Sequence, residues 1–200
     1  MGMSLKPSEQ SNATVQLRCG RAPFKRFLEA LGVKSVTGAE KAVPWAIDEA
    51  PPEVVGAFLR GLFDADGTAR FDLEKGSYVG LGSISLELLR GVQRLLTTFG
   101  ISSRIYAQRT GGRSTWTTRN GERREYNRSA SWDLRISSKS IERFAAHIGF
   151  DLSTKAHALG EIVSRTAMYD VDTTTRLHSR TSDGVELTYN LSEPRNHSYV

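Results

Sequence analysis

The strongest constraint on the fold is a helix-forming segment with a stripe of small residues along one side. Residues 52–67 read PEVVGAFLRGLFDADG, in which the proline suits a first helical turn and the apolar residues predict a buried face. Ala57, Gly61 and Ala65 are each four residues apart, so they lie along one line of the helix. Such a line lets a second helix approach at backbone distance. The segment therefore predicts two helices packed closely side by side.

The same helix ends in two acidic residues, Asp64 and Asp66, followed by Gly67. The C-terminal end of a helix carries about half a negative charge, so two carboxylates there require a positive charge nearby. A hard divalent cation, bound by the carboxylate of Asp66 and the backbone carbonyl of Ala65, would supply it. The alternative is an ordinary helix stop in the left-handed conformation, with these four residues as a turn. The pattern by itself leaves both interpretations open.

A second feature is the concentration of arginine in residues 104–135. The stretch contains eight arginines and three acidic residues, and its net charge of +5 equals that of the whole chain. The arginines are Arg104, Arg109, Arg113, Arg119, Arg123, Arg124, Arg128 and Arg135, and Trp116, Tyr126 and Trp132 are interleaved with them. Arginine offers a planar fork to phosphates and guanine edges, so the stretch predicts a nucleic-acid surface. The alternative is a solvated loop.

Hydrophobic periodicity and turn residues predict the other elements. Helices are expected at 24–32, 86–99 and 139–149, with Ser85 as the N-cap of the second. Strands are expected at 68–75 and 77–83, joined at Lys75-Gly76. Segment 101–136 is expected to form strands and a long arginine-rich hairpin, with turns at Gly111-Gly112 and Asn120-Gly121. The tail from Met168 to Val200 is expected to form short strands and turns.

The chain also contains an internal repeat. Residues 17–33 align without gaps on residues 134–150, and Arg26, Phe27 and Gly32 coincide with Arg143, Phe144 and Gly149. The alternative is chance similarity between two amphipathic helices. If the repeat is real, the partner of the motif at Asp66 lies upstream of Met1, and the chain begins inside the first repeat.

Residues 59–67 resemble the LAGLIDADG (dodecapeptide) motif of homing endonucleases, except at the second position, where Arg60 replaces a small residue. The linker before the motif and the helices at 86–99 and 139–149 are similar to parts of intein-borne endonucleases. The tail from 184 to 200 looks like the start of a C-terminal splicing segment, with His197 at its first histidine. The resemblance implies an α+β fold of order αββαββα. It also implies three parts: the end of a first repeat and linker at 1–50, a second repeat at 51–165, and a partial splicing segment at 166–200.

The resemblance implies a Mg²⁺-dependent, site-specific endonuclease that cuts double-stranded DNA during intein homing. Asp66 is then the catalytic residue and holds Mg²⁺ with the carbonyl of Ala65, while Ala57, Gly61 and Ala65 form the interface with a second motif helix. Alternate residues after the motif, Thr68, Arg70 and Asp72, face DNA. The expected DNA-binding residues are Thr68, Arg70, Arg104, Arg109, Arg113, Arg119, Arg123, Arg124 and Arg128.

Several departures from the family pattern limit these implications. The chain has one motif where the working nuclease needs two, so a homodimer or an upstream intein fragment has to supply the second acid. The segment GLGSIS, at 80–85, lacks the lysine that many family members carry there, and Lys41 and Lys155 are interpreted as solvated. The N-terminal splicing nucleophile and the terminal His-Asn pair are also absent. Two alternatives stay open: a DNA-binding remnant without cleavage, and part of a split intein that splices only with an upstream fragment.

Composition narrows the cellular setting. No apolar run approaches the roughly 20 residues needed to span a bilayer, and the N-terminal residues lack the apolar core of a signal peptide. The single cysteine, Cys19, excludes an internal disulfide. These features predict a cytoplasmic protein with no membrane partner.

Overall fold

Six α-helices and eight β-strands are present in the part of the chain that the computed structural model describes, residues 7–9, 15–17, 19–72, 74, 76–118, 120–165, 177–182 and 184–185. The helices are α1 (Ala22–Ala30), α2 (Trp45–Asp48), α3 (Pro52–Asp66), α4 (Leu86–Thr98), α5 (Lys139–His147) and α6 (Ser153–Arg165). The strands are β1 (Pro7–Glu9), β2 (Val15–Leu17), β3 (Gly67–Arg70), β4 (Tyr78–Ser83), β5 (Ser103–Arg109), β6 (Gly112–Thr117), β7 (Arg123–Arg128) and β8 (Ser131–Ile136).

The central unit runs α3-β3-β4-α4-β5-β8-α5, with the strands β6 and β7 inserted between β5 and β8. Its four strands form one antiparallel sheet in the order β3-β4-β8-β5. The inserted pair forms a separate two-stranded ribbon. The α+β class and the αββαββα order expected from the sequence are therefore confirmed.

The core lies between the helices and one face of this sheet. Val79, Leu81, Leu134 and Ile136 alternate along β4 and β8 and are at most 1% exposed. Leu59 and Phe63 of α3 pack in the same cluster and are fully buried, as are Leu89 and Leu96 of α4, Ile141 and Phe144 of α5, and Ile162 of α6. Because side chains alternate along a strand, the other face of the sheet is left to polar residues. That face is available for a ligand.

The motif helix passes directly into a strand. Gly67 has extended backbone angles (φ −83°, ψ 171°), so the left-handed helix stop considered as an alternative is not what the chain adopts. A Cβ atom at Gly67 would lie 2.6 Å from the carbonyl oxygen of Phe63. Glycine is needed here because the strand starts against the last helical turn, and this close approach fixes β3 relative to the end of α3.

Two local expectations were wrong, and one helix was missed. The first strand ends at Arg70 rather than at residue 75. The chain does not reverse at Gly111-Gly112, because β5 pairs with β8 and β6 pairs with β7, so the chain only passes there from the sheet to the ribbon. Helix α6 was not expected, yet it adds Leu159 and Ile162 to the core. The turn near Asn120-Gly121 does join β6 to β7.

The two copies of the proposed repeat have matching helices. Helices α1 and α5 both contain nine residues, and each is followed two residues later by a glycine with positive φ, Gly32 and Gly149. Their environments differ. Phe144 is fully buried, whereas its counterpart Phe27 is 57% exposed. Helix α1 therefore has an apolar side chain that the described residues do not cover.

The C-terminal tail contributes little to the described structure. Residues 177–182 and 184–185 lie in neither a helix nor a strand, and His197 lies outside the described residues. Within the described part of the chain, the helices are too short or too polar to span a bilayer.

Candidate active site

Asp66 lies in a cleft with two basic residues. It is the last residue of α3, is exposed, and lines a cleft of about 480 Å³ together with Lys41 and Arg109. The wall also includes Gln108, Ser83, Ser131 and Trp132, so polar residues from the three strands β4, β5 and β8 share the cleft with the acid. One carboxylate with two nearby cations suits the binding of a phosphodiester, because the cations balance the charge of the phosphate.

Lys41 reaches this cleft through a contact with the N-terminus of α4. Ser85 caps that helix by accepting a hydrogen bond from the backbone N–H of Leu88 at 3.1 Å. The Ser85 hydroxyl also donates to the backbone carbonyl of Lys41 at 2.6 Å. GLGSIS has no lysine, but Lys41, which lies 44 residues before Ser85, is part of the wall of the same cleft.

Lys155 is not a solvated lysine, contrary to the expectation. Its ammonium group donates to the backbone carbonyls of Phe63 at 3.0 Å and Asp64 at 2.6 Å, near the C-terminal end of α3. The positive charge that this helix end requires is therefore supplied at least partly by a lysine from α6.

Asp64 has a different role from Asp66. Its two carboxylate oxygens accept hydrogen bonds from the backbone N–H groups of Asp151 and Leu152, each at 3.1 Å, just before α6 begins. A carboxylate at a helix N-terminus is favourable because free N–H groups and the helix dipole both attract it. Asp64 therefore joins α3 to α6 and is directed away from the cleft.

The stripe of small residues on α3 is open. Ala57, Gly61 and Ala65 are exposed, and a Cβ atom added at Gly61 would contact nothing within 4 Å. Arg60 does not cover the stripe, because its Nε donates to the carbonyl of Ile148 at 2.6 Å. Its Nη1 also lies 3.6 Å from the carboxylate of Asp151. These contacts direct Arg60 toward the segment before α6.

The polar face of the four-stranded sheet carries several arginines. Thr68, Arg70 and Arg104 are exposed, as expected, and Arg135 lies directly opposite Arg104 in the register of β8 and β5. Asp72 does not extend this row, because it accepts a hydrogen bond from Arg70 at 2.9 Å and another from the backbone N–H of Glu74 at 3.1 Å. It holds the turn after β3 and fixes Arg70. The hydrogen bond to Asp72 also raises the pKa of Arg70.

The other expected DNA-binding arginines fall into two groups. Arg109 belongs to the cleft, where its Nε donates to the hydroxyl of Ser131 at 3.2 Å. Arg113 and Arg123 are exposed on the ribbon formed by β6 and β7, beside the 55%-exposed Trp116. Arg128 is half-buried and donates to the carbonyl of Thr110 at 3.3 Å, so it joins the ribbon to the sheet. Arg119 lies outside the described residues, and Arg124 is described only by its backbone, opposite Trp116.

Comparison with known proteins identifies the central unit. Residues 53–149 match the model of the LAGLIDADG-like domain. Those residues are a LAGLIDADG-like domain. The match runs from the first turn of α3 to the glycine after α5, so it covers the sheet, the ribbon and Asp66, whereas Lys41 of the cleft lies before it.

Relatives of the LAGLIDADG-like domain occur within proteins of different kinds. The chain is 35% identical over 122 residues to a DNA polymerase of Thermococcus hydrothermalis, covering 60% of this chain and 7% of that protein. It is 30% identical over 169 residues to a probable translation initiation factor IF-2 of Thermococcus kodakarensis, covering 82% of this chain and 13% of that protein. It is 36% identical over 110 residues to a tRNA-splicing ligase RtcB of Pyrococcus abyssi, covering 50% of this chain and 12% of that protein. The chain thus spans less than a fifth of each of these curated relatives.

The LAGLIDADG-like domain offers only part of a metal site. Among the described residues, no three His, Cys, Asp or Glu side chains come together as a ligand set. Asp66 offers one exposed carboxylate, and Lys155 binds the carbonyls of Phe63 and Asp64 but not that of Ala65. Mg²⁺ fits such a donor set, because it commonly binds one or two carboxylates together with phosphates and water.

Three features in and around the candidate site were missed from the sequence. Lys41 and Lys155 each follow one copy of the repeated helix, and this shared position was the available signal. Arg135 was counted among the arginines but not assigned to the site. No local pattern indicates that Tyr78 and Tyr106 lie beside it, because they come from two other strands.

Proposed function

We propose that this chain is part of a Mg²⁺-dependent, site-specific endonuclease that cuts double-stranded DNA for the homing of an intein. The observation that carries the proposal is the cleft in which Asp66 lies with Lys41 and Arg109. This cleft adjoins a sheet whose polar face carries exposed arginines. Membership of the LAGLIDADG-like domain supports the reaction class.

The distribution of the relatives supports the homing part of the proposal. The relatives are named as different kinds of protein: a DNA polymerase, a probable initiation factor and a tRNA-splicing ligase. Each shares with this chain a segment that is a small part of its own length. A segment common to such different proteins is expected of a mobile insertion. An endonuclease that cuts an uninterrupted copy of a host gene would promote such movement.

The residues of the sheet face and of the cleft would have different roles in DNA binding and cleavage. DNA lies across the polar face of the sheet, where Arg70 faces the DNA and Arg104 neutralises a phosphate. Lys41 and Arg109 hold the scissile phosphate beside Asp66 and balance its charge. Asp66 would hold Mg²⁺, and the metal would supply Lewis-acid chemistry at the phosphate.

A complete cleavage site requires a second acid. The exposed stripe of Ala57, Gly61 and Ala65 supports close packing with a second motif helix, in a homodimer or with an upstream intein fragment. Either partner would bring its own aspartate near Asp66, because the two helices would cross at their small residues. The isolated monomer is expected to cleave weakly or not at all.

The lone carboxylate favours a second candidate function, DNA binding without cleavage. The described residues contain no three-ligand acidic cluster, and the basic sheet and ribbon bind DNA whether or not Asp66 acts. The two functions differ in what Asp66→Asn does. It abolishes activity in a nuclease and changes little in a binding remnant.

The test uses a supercoiled plasmid that carries the uninterrupted host-gene site. The chain is incubated with the plasmid and Mg²⁺, alone and with the upstream fragment, and nicked and linear products are separated on a gel. Linear product that requires Mg²⁺ and is lost in Asp66→Asn supports the nuclease. Binding without any cleavage, in the presence of the upstream fragment as well, supports the second candidate. Equal cleavage by Asp66→Asn would refute the assignment of the site.

A further inference from the structure

Arg135 is held more rigidly than the other arginines of the polar sheet face. Its Nε donates to a carboxylate oxygen of Asp133 at 2.6 Å. The guanidinium carbon lies 4.5 Å from the ring centroid of Tyr78 and 5.4 Å from that of Tyr106, which come from the strands on either side. The carboxylate thus fixes one edge of the guanidinium, and the two rings restrict its plane.

The outer part of the guanidinium remains accessible. The side chain of Arg135 is 40% exposed, whereas that of Asp133 is only 7% exposed. The hydrogen bond to Asp133 uses Nε, so it does not occupy the N–H groups of the two Nη atoms. This hydrogen bond also raises the pKa of Arg135.

The pairing with Asp133 makes Arg135 a poor phosphate anchor. The pair is close to neutral, and the carboxylate repels a phosphate that approaches the same place. A guanine edge carries no net charge, and its O6 and N7 atoms match two parallel N–H groups of arginine. Because the side chain is already ordered, little conformational entropy is lost when it forms this contact.

We propose that Arg135 is a specificity-determining residue that reads one guanine of the DNA target through O6 and N7 in the major groove. The inference rests on the proposed function, since it requires that DNA lies on this face of the sheet. Asp133 is a positioning residue that sets the direction of the guanidinium. Phosphate contacts then fall to arginines such as Arg104, which is exposed and forms no ion pair within the described part of the chain.

Arg104 provides a matched control. It lies directly opposite Arg135 on the neighbouring strand and faces the same side of the sheet. The two residues have the same chemistry and nearly the same place, and they differ in the carboxylate that holds Arg135. Replacement by lysine keeps the charge in both cases but removes the two-pronged geometry.

The experiment selects bound duplexes from a randomised pool with the full chain, as wild type, Arg135→Lys and Arg104→Lys. The wild type and Arg104→Lys are expected to enrich a site that contains one particular guanine. Arg135→Lys should bind without requiring that guanine. Replacing that guanine by 7-deazaguanine, which lacks N7, should weaken wild-type binding about 10-fold. The same replacement should not affect Arg135→Lys, while Arg104→Lys should respond like the wild type.

A second variant tests the role of Asp133 without removing the arginine. Asp133→Asn frees the guanidinium for phosphate, so the slope of log K against log salt should steepen by about one. The guanine preference should weaken at the same time. A merely structural arginine would change stability but neither of these measurements, and thermal unfolding of each variant checks that the fold is kept.

The possible outcomes distinguish a failure of the inference about Arg135 from a failure of the proposed function. Enrichment of a site whose guanines all tolerate 7-deazaguanine, or an Arg135→Lys protein that keeps the same guanine preference, overturns the inference and leaves the proposed function intact. If the wild type enriches no sequence and binds no duplex, DNA binding itself fails, and the inference fails with it.

Discussion

The ammonium nitrogen of Lys155 lies 2.6 Å from the backbone carbonyl oxygen of Asp64, while the carboxylate of Asp64 caps the segment that begins the helix of Lys155. Each of the two helices thus satisfies the free backbone groups of the other. A lysine in the first turn of α6 opposes the dipole of its own helix, so its favourable partner is the C-terminal end of α3. This reciprocal contact fixes the last turn of α3, which carries Asp66.

The first prediction concerns Lys155. Lys155→Met keeps the length of the side chain but removes one donor from each of two carbonyls, those of Phe63 and Asp64, of which the first keeps the N–H of Gly67. The free energy of unfolding should therefore fall by about 1–3 kcal/mol. Urea denaturation followed by circular dichroism measures the change. The control is Lys25→Met, which removes an exposed lysine 3.7 Å from Glu29 and should cost less than about 0.5 kcal/mol. Equal losses in the two variants would contradict the capping role.

The second prediction separates the two acids of the motif. Asp64→Asn offers one acceptor where two N–H groups bind, so stability should fall by about 1–2 kcal/mol, while cleavage by the folded protein is kept. Asp66→Asn should not lower stability, because the carboxylate is exposed at the C-terminal end of a helix. It should abolish cleavage and leave DNA binding unchanged or stronger. The measurements are urea denaturation, plasmid cleavage at equal folded fraction, and gel-shift titration. Loss of cleavage in both variants alike would contradict this division.

The elements that could be predicted from the sequence are those whose signals are local. Helix α4 has Ser85 as its cap and a stripe of leucines, and both lie within the segment itself. Helix α6 was missed because the groups that cap its start come from Asp64, 87 residues earlier in the chain. Its local sequence offers only two buried apolar residues, Leu159 and Ile162.

The candidate site shows the same division between local and distant signals. Asp66 could be assigned because the motif around it is contiguous. Lys41 could not be placed, because the bond from Ser85 that brings it to the cleft joins residues 44 apart. The contacts of Arg135 with Asp133, Tyr78 and Tyr106 depend on the register of three strands, which a single sequence does not determine. One alternative took Gly67 as a turn residue, but glycine is needed there because of the close approach to Phe63.

The third prediction concerns the ribbon. Arg113 and Arg123 are exposed there, so each can bind a phosphate, whereas Arg128 is half-buried and supports the fold. The double variant Arg113→Ala with Arg123→Ala should flatten the slope of log K against log salt by about 1.8, with little loss of stability. Titration of a labelled duplex at several salt concentrations measures the slope. Arg90→Ala, on helix α4 at the core face of the sheet, is the control and should leave the slope unchanged. If Arg90→Ala and the double variant change the slope equally, the DNA surface lies elsewhere.

The fourth prediction concerns association through α3. Gly61 lies in the open stripe and a Cβ atom there meets nothing within the chain, so Gly61→Gln adds no clash to the monomer but blocks a closely packed partner helix. Gly160 on α6 is equally open and exposed, and Gly160→Gln is therefore the matched control. Both variants should gain about 0.5–1 kcal/mol of helix stability, so a difference between them reports association and not folding.

Sedimentation velocity over a range of micromolar concentrations measures this association. The wild type and Gly160→Gln should shift together toward a dimer as concentration rises, whereas Gly61→Gln should remain a monomer. The loss should be nearly complete, because a side chain as large as glutamine holds the two backbones apart. If the wild type is monomeric alone but binds the upstream fragment, Gly61→Gln should lose that binding and Gly160→Gln should keep it. A partner that tolerates Gly61→Gln would show that the motif helix packs through another face.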